Sequence, residues 1–215
     1  MHIVITGASR GIGAALAARY RAEGHDVTGT ARAGGGDLVA LDVTRAEDFR
    51  RLAAHLDGRA VDLLICNAGI YADKGQSLDT GYPAAMWAET FATNVTGVFH
   101  AVQALLPHLR AAGAAKVAII SSQMASHTRA PGGSYIYRAS KAAALNLGRN
   151  LAADLAPEGI AVGIYHPGWV RTDMGGGAAD ISVDEAAEGL IARFAALGPD
   201  STGCFQTWDG RDHPY

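Results

Sequence analysis

Short apolar runs alternate with longer stretches of helical periodicity along the whole chain. The runs are HIVI (2–5), DVTGTA (26–31), LVALD (38–42), VDLLIC (61–66), AKVAIIS (115–121), IAVGIYH (160–166) and GCFQTW (203–208). Most are continuous rather than strictly alternating, which predicts strands of a parallel sheet covered on both faces. A helix is predicted after the first run, at AALAARYRAEG. TRAEDFRRLAAHL and SVDEAAEGLIARFAAL predict two more, and they open with Thr44/Glu47 and Ser182/Glu185 at capping-box spacing. Residues 84–110 and 138–156 are rich in alanine and leucine at helical spacing. Alternating strands and helices imply right-handed crossovers and a doubly wound sheet, an α/β fold of the Rossmann type. One connection breaks the rhythm. RAGGGD (32–37) is too short for a crossover helix, yet six residues reach about 20 Å when extended, enough to return along one strand. Pairing therefore stays parallel, and one face of the sheet is thinly covered there. No repeat, linker or boundary divides the chain, so a single domain over 1–215 is expected.

Composition narrows the class. Hydrophobic residues make up 49% and charged residues 18%, which argues against disorder. A formal net charge of −3 with scattered Lys and Arg offers no surface for nucleic acid or an anionic membrane. No apolar stretch is long enough to span a bilayer and no secretory signal is visible, so a cytoplasmic protein is expected. The two cysteines, Cys66 and Cys204, form no CxxC pair and read as reduced thiols. The eight histidines show no HxxxH or HxH spacing, and no metal site is expected.

Candidate chemistry begins at TGASRGIG (6–13), a glycine-rich turn between the first strand and the first helix. Helix N-termini present unpaired N–H groups and a partial positive charge, and glycines let the backbone approach a pyrophosphate. The spacing is GxxxGxG, through Gly7, Gly11 and Gly13. YRASK (137–141) then places Tyr137 and Lys141 four residues apart on one helix face. A nearby ammonium favours the phenolate, so Lys141 is expected to lower the Tyr137 pKa and poise it for proton transfer. IISS (119–122) ends the fifth strand at the carboxyl edge, where ligands bind in α/β sheets.

TGASRGIG, CNAG (66–69), IISS, YRASK and HPGWVRTDM (166–174) occur in the order and spacing of the short-chain dehydrogenase/reductase family, and the chain resembles it over essentially its full length. GGSYIYRASKAAALN and HPGWVRTDMGG are most similar to its C-factor-like and sniffer-type carbonyl reductases. The resemblance implies a seven-stranded parallel sheet in the order 3-2-1-4-5-6-7. It implies that Tyr137 is the general acid in carbonyl reduction and the base in alcohol oxidation. It also implies that Lys141 lowers the Tyr137 pKa and holds the nicotinamide ribose, and that Ser122 hydrogen-bonds the substrate oxygen. Asn94 would hold a water and link Lys141 to solvent. For the cofactor it implies Gly7, Ser9, Arg10, Gly11, Ile12 and Gly13 at the phosphates, and Asp42 and Val43 at the adenine. Asn67, Ala68 and Gly69 would lie beside the adenosine ribose, and Pro167, Gly168, Val170 and Thr172 at the nicotinamide. Ser122 lies two residues further from Tyr137 than is usual in the family, which puts a loop near 127–134 and leaves Ser121 as a competitor.

The second strand ends in GTAR with no acid, and a carboxylate there would repel a 2′-phosphate. Arg32 and Arg10 can instead pair with one, so NADP(H) is favoured and NAD(H) remains possible. The substrate is expected to be a small carbonyl or secondary alcohol, with Tyr71, Met124, Tyr135 and Trp169 as candidate pocket walls. The expected assembly is a homodimer or homotetramer through the two alanine-rich helices, as relatives often pair. GGGAAD (175–180) is expected to form a short mobile lid. The alternative is a catalytically weak dinucleotide-binding regulatory or signalling protein of the same fold.

Overall fold

The computed structural model describes residues 1–79 and 81–215. Its strands are β1 (His2–Ile5), β2 (Asp26–Ala31), β3 (Leu38–Ala40), β4 (Leu63–Cys66), β5 (Lys116–Ile120), β6 (Ala161–His166) and β7 (Phe205–Thr207). Its helices are α1 (Gly11–Ala22), α2 (Ala46–Leu56), α3 (Ala84–Phe91), α4 (Gly97–Ala111), α5 (Tyr135–Leu155) and α6 (Val183–Ala196). The strands form one sheet in the order β3-β2-β1-β4-β5-β6-β7, every pair parallel.

Successive residues of a strand point to opposite faces, and here both faces are covered. Val4, Leu64, Cys66, Val117 and Ile119 pack with residues of α2, α4 and α5. Ile3, Ile5, Leu63, Ile65, Ala118 and Ile120 pack with α1 and α6. That is why the strands read as unbroken apolar runs. The second face has one helix fewer. Residues 32–37 form no helix, and no residue of β3 is fully buried.

Three local expectations change. Residues 84–110 are not one helix: a π-helical turn, Ala92–Thr96, separates α3 from α4 and carries Asn94. α5 starts three residues earlier than its periodicity suggests, so Tyr137 lies in its first turn. The Thr44/Glu47 capping box does not form. The Thr44 hydroxyl and N–H both donate to Asp42 Oδ1, at 2.7 and 3.0 Å, and Arg45 becomes the N-cap without a side-chain cap. Asp48 Oδ2 instead accepts from the Asp42 N–H at 2.9 Å, which draws residue 42 away from the sheet and ends β3 at Ala40. At α6 the same spacing works: Ser182 Oγ accepts from the Glu185 N–H, and Glu185 accepts from the Ser182 N–H.

Candidate active site

The glycine turn is built by close packing. Gly7 has φ +70°, and a Cβ there would lie 2.9 Å from Ala68 Cα. The turn and the end of β4 are sewn together through Thr6 Oγ1, which accepts from the N–H groups of Asn67 and Ala68. Asn67 Nδ2 donates to the carbonyls of Thr6 and Gly7 at 3.0 and 2.9 Å. Gly13 is packed against that pair, and a Cβ there would lie 2.5 Å from Asn67 Nδ2. Gly11, at φ +56°, has open space on the cleft side apart from the Thr172 methyl at 3.5 Å. The start of α1 has neither a side-chain cap, which α6 has, nor an acidic residue in its first turn, which α2 and α6 both have. Its N–H groups are therefore left for an anion, and the turn fits a dinucleotide pyrophosphate.

A cleft of about 570 Å³ runs from this turn across the carboxyl edge of the sheet. One end contains Arg10, Arg32, Asp42 and Val43, and the other Tyr137, Lys141, Pro167 and Thr172. Ser9, Ile12, Asn67, Ala68 and Gly69 also face it. Gly13, Asn94, Ser122, Gly168 and Val170 do not line it. Gly168 (φ +89°) and the buried Val170 sit behind the wall, where a Cβ on Gly168 would meet Ile181 and Trp208. The Asp42 carboxyl is held below the usual range, chiefly by the Thr44 hydroxyl and more weakly by Arg45 and Arg32.

Tyr137, Ser122 and Lys141 converge at the far end. A hydrogen bond from Ser122 draws the Tyr137 pKa down, but burial outweighs it and pushes the phenol up to about 12. Tyr71 and Asp73 push in the same direction as burial. The expected lowering by Lys141 is absent for a physical reason. Burial also pulls the Lys141 ammonium down to about 8, which weakens the positive charge it can offer the phenol. Lys141 Nζ lies 5.7 Å from the Tyr137 ring centroid and donates to the Ile120 carbonyl at 2.9 Å. Tyr137 is thus a neutral phenol at physiological pH, suited to giving a proton. Ser121 is committed elsewhere, its hydroxyl donating to the Lys141 carbonyl at 3.1 Å. Ser122 accepts from the Met124 N–H and faces Tyr137.

The Asn94 side chain is anchored on both sides. Its Oδ1 accepts from the Ile70 N–H at 2.8 Å, and its Nδ2 donates to the Ile70 carbonyl and Ser140 Oγ. These bonds pin Ile70 to α5. Gly69 lies between the two polar groups: a Cβ there would be 3.3 Å from Asn94 Oδ1 and 3.4 Å from Lys141 Nζ. Several contacts have no local sequence signal. Tyr71 stacks on Tyr137 with ring centroids 4.3 Å apart, and Asp73 binds the first turn of α5. Arg10 pairs with Asp173 at 2.8 Å, with both side chains more than three-quarters exposed.

The segment after Thr172 is more tethered than its glycines suggest. Trp169 Nε1 donates to the Gly175 carbonyl at 3.0 Å and Lys74 Nζ to the Met174 carbonyl at 3.4 Å. Arg171 holds the carbonyls of Ala179 and Asp180, and Ala179 is buried. Among the described residues, no group of three or more His, Cys, Asp or Glu could hold a metal, and no helix is long and apolar enough to cross a membrane.

A doubly wound parallel sheet with a phosphate-type turn and a Tyr–Lys pair at its carboxyl edge defines a dinucleotide-dependent α/β protein. The chain belongs to the short-chain dehydrogenase family, whose model matches residues 1–180, and it is an NAD(P)-dependent oxidoreductase of that family. It is 36% identical to the C-signal of Myxococcus xanthus over 168 residues, which is 78% of this chain and all of that one. Among solved structures it is similar to an NADPH-bound carbonyl reductase from chicken fatty liver. The TM-score is 0.89 at 28% identity, covering 100% of this chain and 98% of that one. It is also similar to the carbonyl reductase Sniffer of D. melanogaster, with a TM-score of 0.92 at 26% identity, covering 100% and 99%.

Proposed function

We propose that the protein is an NADP(H)-dependent carbonyl reductase acting on small aldehydes, ketones or quinones, or on secondary alcohols in reverse. The observation that carries this reading is the buried Tyr137 phenol, beside Ser122 and Lys141 at the end of a cleft that starts at the glycine turn. The cofactor supplies or accepts a hydride when bound. Tyr137 gives a proton to the carbonyl oxygen, and Ser122 hydrogen-bonds that oxygen as charge develops on it. Lys141 holds the ribose hydroxyls, and its charged form favours the phenolate left behind. Gly7, Ser9, Gly11 and Ile12 hold the phosphates, with Asn67, Ala68 and Gly69 beside the ribose and Pro167 and Thr172 at the nicotinamide. Gly13, Gly168 and Val170 act from behind by shaping those walls. Arg32 and Arg10 stand where a 2′-phosphate would be met, and the similarity to an NADPH-bound reductase supports the same choice.

The competing reading, a nucleotide-binding signalling protein with weak catalysis, draws on the similarity to C-signal. The assembled Ser122–Tyr137–Lys141 group favours the enzyme. Self-association through α4 and α5 as a homodimer or homotetramer is supported by the exposed Phe99 on α4. The decisive experiment follows NADPH absorbance with a panel of aldehydes, ketones and quinones. Turnover is expected in the wild type and its loss in Tyr137→Phe, with NADPH affinity retained. A Tyr137→Phe rate within about tenfold of wild type would mean that the proton donor is another group.

A further inference from the structure

α5 carries Tyr137 but does not cap itself. Its N-cap, Ser134, sits in the left-handed region at φ 48° and makes no side-chain cap bond. The first-turn N–H groups of a helix need acceptors, and these are supplied from 63 residues away. The Asp73 carboxylate accepts from the Ile136 N–H at 2.8 Å and from the Tyr137 N–H at 3.2 and 3.4 Å. Asp73 is 1% exposed, and among the described residues no Lys, Arg or His forms an ion pair with it. A buried carboxylate without a counter-ion is costly unless something stabilises it, and two helix N–H groups with the positive end of α5 do so here. The same segment also reaches the Tyr137 ring: Tyr71 stacks on it and hydrogen-bonds Ser134 Oγ through its hydroxyl.

We propose that Asp73 is a positioning residue for Tyr137, fixing its backbone height and supplying a fixed negative charge that keeps the phenol a proton donor, with Tyr71 setting the ring plane. This rests on the reading of Tyr137 as the proton donor. The groups facing Tyr137 are Tyr71 and Asp73 from the loop after β4, Ser122 from the end of β5, and Lys141 from α5. Of these, Asp73 is the only carboxylate. Burial is the main cause of the raised Tyr137 pKa, and the Asp73 charge adds to it in the same direction by opposing ionisation of the phenol.

The test is Asp73→Asn in the full-length protein, with Asp73→Ala and Tyr71→Phe alongside. Amide exchange read by NMR needs no turnover. Protection of Ile136 and Tyr137 is expected to fall in Asp73→Asn while the later turns of α5 stay protected. The second readout is the alkaline limb of kcat for carbonyl reduction, which needs the protonated phenol. Loss of the negative charge is expected to move that limb to lower pH by about one unit, with little change in KM for NADPH. Tyr71→Phe keeps the ring stack and the Asp73 charge but removes a hydroxyl that also raises the Tyr137 pKa, so its limb is expected to move in the same direction while protection of Ile136 and Tyr137 stays with the wild type. A kcat limb unmoved in Asp73→Asn, with only stability reduced, would leave Asp73 a structural cap and overturn the proposal. Unchanged exchange at Ile136 and Tyr137 would overturn it as well. Should Asp73→Ala fail to fold, Asp73→Asn carries the test alone. If the wild type turns over no carbonyl, the functional reading fails, while the exchange arm still reports whether Asp73 holds this turn.

Discussion

Gly13→Ala is the sharpest test of how the cofactor turn is built. Gly13 has ordinary helical backbone angles, so alanine is allowed there and adds helix propensity of about 1 kcal/mol. Space decides against it. The new Cβ would meet the Gly7 carbonyl oxygen and lie 2.5 Å from Asn67 Nδ2. Neither can step aside cheaply. Gly7 is already pressed against Ala68, and the Asn67 amide is committed to two carbonyls. Overpacking costs about 1–3 kcal/mol, and weakening the two Asn67 bonds costs about 1 kcal/mol each. After the propensity gain, the net loss is about 2–4 kcal/mol, a shift in Tm of about 5–15 °C for a chain of this size. The comparison is Gly24→Ala. Gly24 has φ +81° but nothing within 4 Å, so alanine there meets only backbone strain of about 1–2 kcal/mol. A rule based on positive φ alone would rank the two the other way. Urea denaturation followed by circular dichroism measures both. Gly13→Ala no less stable than Gly24→Ala would refute the packing described for the turn.

Arg32→Ala is expected to weaken NADPH binding about tenfold and leave NADH binding nearly unchanged, because its pairing with a 2′-phosphate is solvent-exposed and modest; equal losses for both cofactors would count against it. Asp173→Asn should tighten NADPH binding by freeing Arg10, and calorimetry with both cofactors reads this. Lys141→Met should abolish turnover yet stabilise the cofactor-free protein at pH 7 by about 1–2 kcal/mol, after allowing for the lost Ile120 bond. The sign follows from burial, which lowers this lysine from 10.5 to about 8 in the folded state. The unfolded chain then binds the extra proton across that window. The wild-type penalty is full below pH 8 and fades as pH rises to 10.5, so the stability difference should shrink there; a constant difference in denaturation midpoints would contradict it. Light scattering at micromolar protein should give a multiple of the monomer mass, and a monomeric value would remove the α4/α5 interface.

The central strands β1, β4, β5 and β6 were legible because they are buried on both faces and so keep their apolar residues in sequence. The glycine turn, Tyr137, Lys141 and Ser122 were legible because their spacing is local to one turn, one helix and one strand end. What escaped is carried by contacts between distant segments. Asp73 leaves no mark near α5, and the Arg10–Asp173 pair spans 163 residues. Thr44 had the right spacing for a cap, but Asp42 competed for its hydroxyl. The interruption falls on ATNVT, four of whose residues are weak helix formers, but such residues also occur inside helices; the contacts Asn94 makes to Ile70 and Ser140 leave no mark in the local sequence. The direction of the Tyr137 shift depends on burial, which pairwise spacing does not report.

The six-residue link between β2 and β3 has a consequence for how the cofactor's charge is recognised. With no helix laid over that edge, Arg32 stands exposed at the start of the link, and Arg10 across the cleft is exposed too. A 2′-phosphate arriving there is met in water of high dielectric, within reach of mobile counter-ions. Recognition of this kind is a property of the buffer as much as of the fold: at physiological ionic strength the screening length is about 8 Å, and it shortens further as salt is added. The preference for the phosphorylated cofactor should therefore erode as ionic strength rises, while the buried Tyr137 and Lys141 are less exposed to that screening.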